Sequence, residues 1–286
     1  METRTCVITG ATSGIGRAAA RALGSMGANL VLIGRNERAG AALVDLARRR
    51  SWAGRVEFIR TDLSVQNEVR ALAQTIIARH ECIDILINNA GARFDRYEES
   101  VDGIEMTFAT NHLSHFLLTC LLLDRLARAP EGRVITVGSR SHAAASVDSG
   151  WRMEPGSYDR RLAYARSKLA NILFACELAD RLGQTKVTSN AVDPGMVATR
   201  FAKNNGRLSW LKHIVAHGFR LELVLPRKGA ETIVHLAASE EVKGISGKYF
   251  YRKTIIDSSA ASRDREAARR LWSLSEEMTG LVSEND

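Results

Sequence analysis

What this chain has little of narrows it first. Its longest apolar run, Phe116–Leu123, is interrupted by Thr119 and falls far short of the roughly 18–20 residues that a bilayer crossing requires. Only 4 prolines occur in 286 residues, and no proline- or serine-rich linker divides them. No internal repeat is visible, so one large domain is expected, residues 1–258, with a tail at 259–286. The cysteines Cys6, Cys82, Cys120 and Cys176 are widely spaced in apolar runs. Neither a metal-ligand spacing nor a redox pair is present, so buried thiols, no metal and a reducing cytoplasmic location are expected. The N-terminus enters a strand within a few residues, and the expectation is a chain without a signal peptide or a membrane anchor.

Clustered positive charge is scarce too, although the net charge is +8 and the pI is near 9.6. Arg48–Arg50 and Arg269-Arg270 lie on predicted helices of mixed charge, without interleaved aromatics. Solvated helix faces explain them better than a nucleic-acid surface. Part of the excess would attract an anionic cofactor.

What is present is alternation. Apolar strands at Thr5–Thr9, Asn29–Ile33, Val56–Arg60, Ile83–Ile87, Arg133–Val137 and Val187–Val192 are separated by helical stretches. The helices are Arg17–Met26, Glu37–Arg50, Val65–His80, Ile104–Arg128 and the Gly- and Pro-free Arg160–Leu182. With a further strand over Lys248–Ile256, the pattern predicts an α/β fold: a doubly wound, seven-stranded parallel Rossmann sheet flanked by helices. The tail reads as an amphipathic helix over Ala261–Leu281.

Chemistry-bearing residues fall at strand ends. Gly10, Thr12, Ser13, Gly14, Ile15 and Gly16 join the first strand to the first helix. Small residues there admit a pyrophosphate, and the helix start offers free amides and a positive dipole end. An acidic residue after the second strand would accept from a ribose 2′-hydroxyl; Arg35 stands there instead. A guanidinium pairs well with a 2′-phosphate, so NADP(H) is preferred over NAD(H), with Arg17 nearby to help. Read without a ligand, Arg35 is an ordinary solvated residue at a helix start. Asp62 either holds the adenine amino group or caps the helix beginning near Ser64. Asn88-Asn89-Ala90-Gly91 sits at another strand end, where open parallel sheets bind ligands.

Tyr164 and Lys168 lie four residues apart on a predicted helix and so share a face. An ammonium beside a phenol favours the phenolate, bringing its pKa down from about 10 toward the range useful for proton transfer. Tyr249 and Lys253 have the same spacing, but on a predicted strand, where the two residues stand roughly 13 Å apart.

Taken together, Thr9–Gly16, Asp62, Asn88–Gly91, Asn111, Ser139, Tyr164 with Lys168, and Pro194-Gly195 with Thr199 resemble the short-chain dehydrogenases/reductases. Asn111–Thr119 and Tyr164–Phe174 are most similar to retinol-dehydrogenase-like reductases. The resemblance implies Tyr164 as general acid/base and Lys168 as its pKa-lowering, ribose-binding partner. Ser139 would position the substrate oxygen, with Ser141 as its rival, and Asn111 would hold a water in a proton relay. Leu63, Asn89, Ala90, Gly91, Pro194, Gly195, Val197 and Thr199 would line the cofactor. Helices Ile104–Arg128 and Tyr164–Leu182 commonly form a homodimer interface in that family. The chain departs from the pattern at Gly138, Ser114 and Asp193; Asp193 would place a negative charge near the nicotinamide.

The expected activity is NADPH-dependent interconversion of a lipophilic or aromatic ketone or aldehyde and its alcohol, such as an aromatic natural product of secondary metabolism. A segment at about 196–225, with Phe201 and Trp210, reads as a substrate lid. The alternative is a non-catalytic NADP-binding sensor or scaffold on the same fold.

Overall fold

The computed structural model describes residues 1–148, 150–195 and 225–281. Val197, Thr199, Phe201 and Trp210, and with them the expected lid, lie outside the described residues.

The strands are β1 (Thr5–Thr9), β2 (Asn29–Gly34), β3 (Val56–Arg60), β4 (Ile85–Asn88), β5 (Arg133–Val137), β6 (Thr188–Asp193), β7 (Tyr249–Tyr251) and β8 (Thr254–Ile255). They form one sheet in the order β3-β2-β1-β4-β5-β6-β7-β8, parallel except for β8, which pairs antiparallel to β7. The seven parallel strands expected are present, and the eighth is an addition. The stretch Lys248–Ile256, expected as one strand, is a hairpin. Arg252 (φ 48°) and Lys253 (φ 66°) take left-handed conformations and reverse the chain.

The inner strands β1, β4, β5 and β6 are buried on both faces, as parallel sheets require. Cys6 and Ile8 of β1 pack with the α1–α2–α6 side, whereas Val7 packs with the α3–α4–α5 side. Here α1 is Gly14–Ser25, α2 Glu37–Arg49, α3 Gln66–Arg79, α4 Met106–Ala127, α5 Arg160–Leu182 and α6 Pro226–Ala238. Helix α1 begins three residues earlier than expected, so Gly14 and Gly16 belong to its first turn.

By length and composition alone, α4 is apolar enough to cross a membrane. In the structure it is mostly buried, with Phe116, Leu117, Leu118 and Leu122 at 0 % exposure. It is not uniformly α: Ala109–Leu113 form a π turn before the helix resumes at Ser114. Ser114, where glycine is common in the resembling family, returns its hydroxyl to the Thr110 carbonyl at 2.7 Å across that junction.

The tail helix α7 (Arg265–Thr279) packs on α5 and α4. Its Trp272 stacks on Phe174 at 5.9 Å, meets Phe116 edge-on at 4.9 Å and lies under the Arg181 guanidinium.

Candidate active site

The glycine turn is built for close approach. Gly10 has φ +66°, and a Cβ there would sit 2.8 Å from the Ala90 Cα. A Cβ on Gly16 would come within 2.4 Å of the Asn89 side chain. Asn89 ties the turn to the end of β4: its Nδ2 donates to the Thr9 carbonyl at 2.8 Å, and its amide donates to Thr9 Oγ1. Thr12 packs its side chain over Gly34, and Ile15 is half-buried behind the turn. Ser13 occupies the N-cap without a side-chain cap bond, and no acidic residue stands in the first turn of α1. The leading amides therefore keep their affinity for an anion, and the cradle fits a dinucleotide pyrophosphate.

At the far end of this surface Arg35 follows β2, half-exposed, with Nη1 3.8 Å from Asp62 Oδ2. Asp62 Oδ1 accepts from the Ser64 amide and hydroxyl, and the Asp62 amide donates to Glu68. Asp62 thus makes the local turn before α3, while the N-cap position itself belongs to Val65. Leu63 is buried in the core beneath it.

Around Tyr164 the structure gathers four elements. Ser139 follows β5 and caps the short 3-10 helix Arg140–Ala144, and Tyr164 and Lys168 come from α5. Asn111 comes from the π turn, and Asp193-Pro194-Gly195 from the end of β6. Tyr164 is half-buried and hydrogen-bonded to Ser139. The Lys168 ammonium lies 5.7 Å from the Tyr164 ring centroid and donates to the Val137 carbonyl at 2.9 Å.

The lowering of the Tyr164 pKa expected from Lys168 is not what the structure gives. Burial, with the Asp193 charge adding, pushes the phenol up to about 12 against the Ser139 bond and the Arg93 charge. Burial also brings Lys168 down to about 8. Desolvation opposes the charged form of both groups.

Asn111 is fully buried, and both its amide protons are engaged: Nδ2 donates to the Ala92 carbonyl at 2.9 Å and to Ser167 Oγ at 3.0 Å. Its Oδ1 accepts from the Ala92 amide at 2.7 Å. The side chain thus locks the segment after Gly91 against α5.

Ser139 Oγ accepts from the Ser141 amide at 3.2 Å, whereas the Ser141 side chain is exposed. His142, not singled out in the sequence, fixes Ser139 from behind. Its Nε2 accepts from the Ser259 amide at 3.1 Å, which places the proton on Nδ1, 2.6 Å from the Ser139 carbonyl. Gly138 is explained by its neighbours: a Cβ there would lie 3.2–3.3 Å from Ile172 and Tyr249.

Asp193 is 2 % exposed and ion-paired to Arg140 at 3.1 Å. Arg140 falls in the stretch Arg140–Asp159 expected to border the substrate, but its pairing with Asp193 was not expected. The signal was available, since a buried carboxylate at a strand end demands a cation or several donors. Among the described residues no group of three or more potential metal ligands occurs.

Comparison with known proteins agrees with this geometry. The family model of short chain dehydrogenases matches residues 4–208. Human retinol dehydrogenase 14 is 38% identical over 300 aligned positions, covering 99% of this chain and 88% of that protein. Mouse retinol dehydrogenase 13 is 36% identical, covering 98% and 84%. Among solved structures, an uncharacterized protein from Mycobacterium paratuberculosis superposes with a TM-score of 0.76 at 33% identity, covering 98% of this chain and 94% of its own. Actinorhodin polyketide ketoreductase with NADPH has a TM-score of 0.68 at 22% identity, covering 87% and 97%, which speaks for the fold alone. A nucleotide cradle on β1, a tyrosine–serine–lysine cluster across the same sheet edge and a family match over most of the length lead to one conclusion: the chain belongs to the short-chain dehydrogenases, oxidoreductases that use a nicotinamide cofactor on CH–OH and C=O groups.

Proposed function

We propose that this protein is an NADPH-dependent carbonyl reductase for a lipophilic or aromatic ketone or aldehyde, with Tyr164 as proton donor. The observation that carries the reading is the placement of Tyr164. Its phenol is hydrogen-bonded to Ser139 beyond the end of β5, with the Lys168 ammonium beside its ring, so its proton can pass to a carbonyl oxygen held at Ser139. Ser139 receives that oxygen and stabilises the charge that develops on it. Lys168, held by the Val137 carbonyl, supports the phenolate left behind. Asn111 keeps Ala92 and α5 in register beneath the site.

When bound, NADPH supplies the hydride. The turn Gly10–Gly16 would hold its pyrophosphate, Arg35 its 2′-phosphate, Asp62 with Leu63 its adenine, and Asn89–Gly91 with Pro194-Gly195 the remainder. The preference for NADPH rests on the cation at the end of β2, where an acid would be needed to accept from a free ribose hydroxyl. The lipophilic class is supported by the relatives named for retinol.

Binding of NADPH and NADH to wild type and Arg35→Ala, by fluorescence titration, tests the cofactor. Tighter NADPH binding that Arg35→Ala weakens about tenfold is expected, as loss of a charge-assisted contact would give. Equal binding of both nucleotides, unaffected by the variant, would overturn the NADPH assignment.

A further inference from the structure

Beside the Tyr164 site the sheet edge holds a second feature. A cavity of about 440 Å³ opens between the ends of β6 and β7 and the start of α6. Six charged side chains line it: Arg140, Asp193, Lys228, Glu231, Arg252 and Lys253. Asp193 is already engaged, paired to Arg140 at 3.1 Å and accepting the Gly195 amide at 2.8 Å. Among the described residues that line it, Glu231 is left as the one acid facing Lys228, Arg252 and Lys253. None of these three cations has an ion pair among the described residues.

The hairpin tip shows that two of these cations are placed at a price. Two-residue hairpin turns with both central residues left-handed favour Asn-Gly. Here Arg252 and Lys253 hold φ 48° and 66°, a conformation disfavoured by roughly 1–2 kcal/mol for each residue with a Cβ. The tip is braced. The Lys253 amide donates to Thr232 Oγ1 of α6 at 3.2 Å, and the Arg252 guanidinium lies 5.0 Å from the Tyr251 ring centroid. Arg140 sits on the same ring at 4.7 Å and donates to its hydroxyl at 3.0 Å.

The cavity lies beside the reacting end of the site. Arg140 follows Ser139 directly, and Asp193 is near enough to act on the Tyr164 phenol. Strand β6 stands three places from β1, on the order of 14 Å at the spacing of neighbouring strands, and no residue of the turn Gly10–Gly16 is among those lining the cavity.

We propose that this cavity binds a carboxylate carried by the carbonyl substrate, with Lys228, Arg252 and Lys253 as the residues that select it. The proposal rests on the reductase reading above and adds the charge of the substrate to it. A keto acid would direct its carboxylate to the hairpin tip and its carbonyl toward Ser139 and Tyr164. Ordered guanidinium and ammonium donors recognise a carboxylate better than they do its ester.

The test compares aromatic and aliphatic keto acids with their methyl esters, using wild type, Arg252→Gln/Lys253→Gln and Arg252→Asn/Lys253→Gly. The last variant carries the preferred turn sequence, so a failure to fold cannot mimic the result. In wild type, kcat/KM for the acid should exceed that for its ester by about tenfold or more, and the ratio should fall to about one in both variants. Calorimetric titration of the acids and esters into the NADP⁺-bound protein gives the same comparison without turnover. Acid and ester used and bound equally by wild type, or a preference that survives in both variants, would overturn the carboxylate site. Nucleotide binding without turnover of any acid or ester would instead count against the reductase reading, and the titration alone would then decide the cavity.

Discussion

Tyr164 and Lys168 share a helix face, yet burial shifts them in opposite directions, the phenol up to about 12 and the ammonium down to about 8. The spacing was legible in the sequence, but their environment was not, because it is made by β5 and β6 from other parts of the chain. Lys168 has a folded-state pKa below its ordinary value of 10.5, so the folded state binds fewer protons than the unfolded chain between about pH 8 and 10.5. Stability should therefore rise with pH through that window, and the full penalty is felt below it. Lys168→Met should raise stability at pH 7 by on the order of 2 kcal/mol, with the gain vanishing by about pH 10.5. Urea denaturation at several pH values checks this; a variant that is destabilised at pH 7 would contradict it. Asp193 acts in the other direction, since its charge disfavours the Tyr164 phenolate. In Asp193→Asn the Tyr164 pKa should fall. The alkaline loss of reductase activity, where the donor becomes ionised, should then begin at lower pH. An unshifted or upward-shifted limb in the pH–rate profile would show that Asp193 does not act on the phenol.

Helix α4 shows what pattern reading reaches and where it stops. Its length and apolar character were evident, but the π turn at Ala109–Leu113 was not, because no residue type encodes it. That turn places Asn111 and His112 inward. Burial brings His112 down to about 3, and His115 also lies well below its ordinary value. Both are neutral when folded, while the unfolded chain takes up protons below about pH 6.5, so stability should fall as pH drops through that value. Burial disfavours the His115 imidazolium, and His115→Phe should flatten the acid limb of a stability profile below about pH 6.5. An unchanged limb would assign acid sensitivity to other groups. The β7–β8 hairpin was hidden for a different reason, since Arg252-Lys253 carries none of the Gly or Asn that marks such turns. Helix α7 was visible as amphipathic, but only packing shows where its apolar face goes. Trp272→Ala should cost about 3–5 kcal/mol, as a large aromatic lost from a core does, and should lower the thermal midpoint by several degrees.

Across the whole molecule, the alternation of strands and helices and the gathering of site residues at one sheet edge could be read from the chain, because parallel sheets place their strand ends together. The pairings that fix the site could not. Thr9 with Asn89, Arg140 with Asp193 and His142 with Ser259 join segments far apart in sequence, and none has a local signature. The same holds for α7, which lies over α4 and α5, with His112 Nε2 3.1 Å from Ser275 Oγ and Arg265 bonded to Asp180. A second copy docking on that helical face would have to displace α7, so no homodimer should form through α4 and α5; crosslinking between engineered cysteines on α5 of two copies, with α7 in place, would contradict this. We propose that this sheet edge reduces a carbonyl by proton donation from Tyr164, and NADPH oxidation with a panel of ketones and aldehydes, comparing wild type with Tyr164→Phe, tests it. Wild type should turn over, the variant should lose at least about 10²–10⁴-fold, as removal of a general acid gives, and NADPH affinity should be unchanged. Comparable turnover by the two proteins would contradict it.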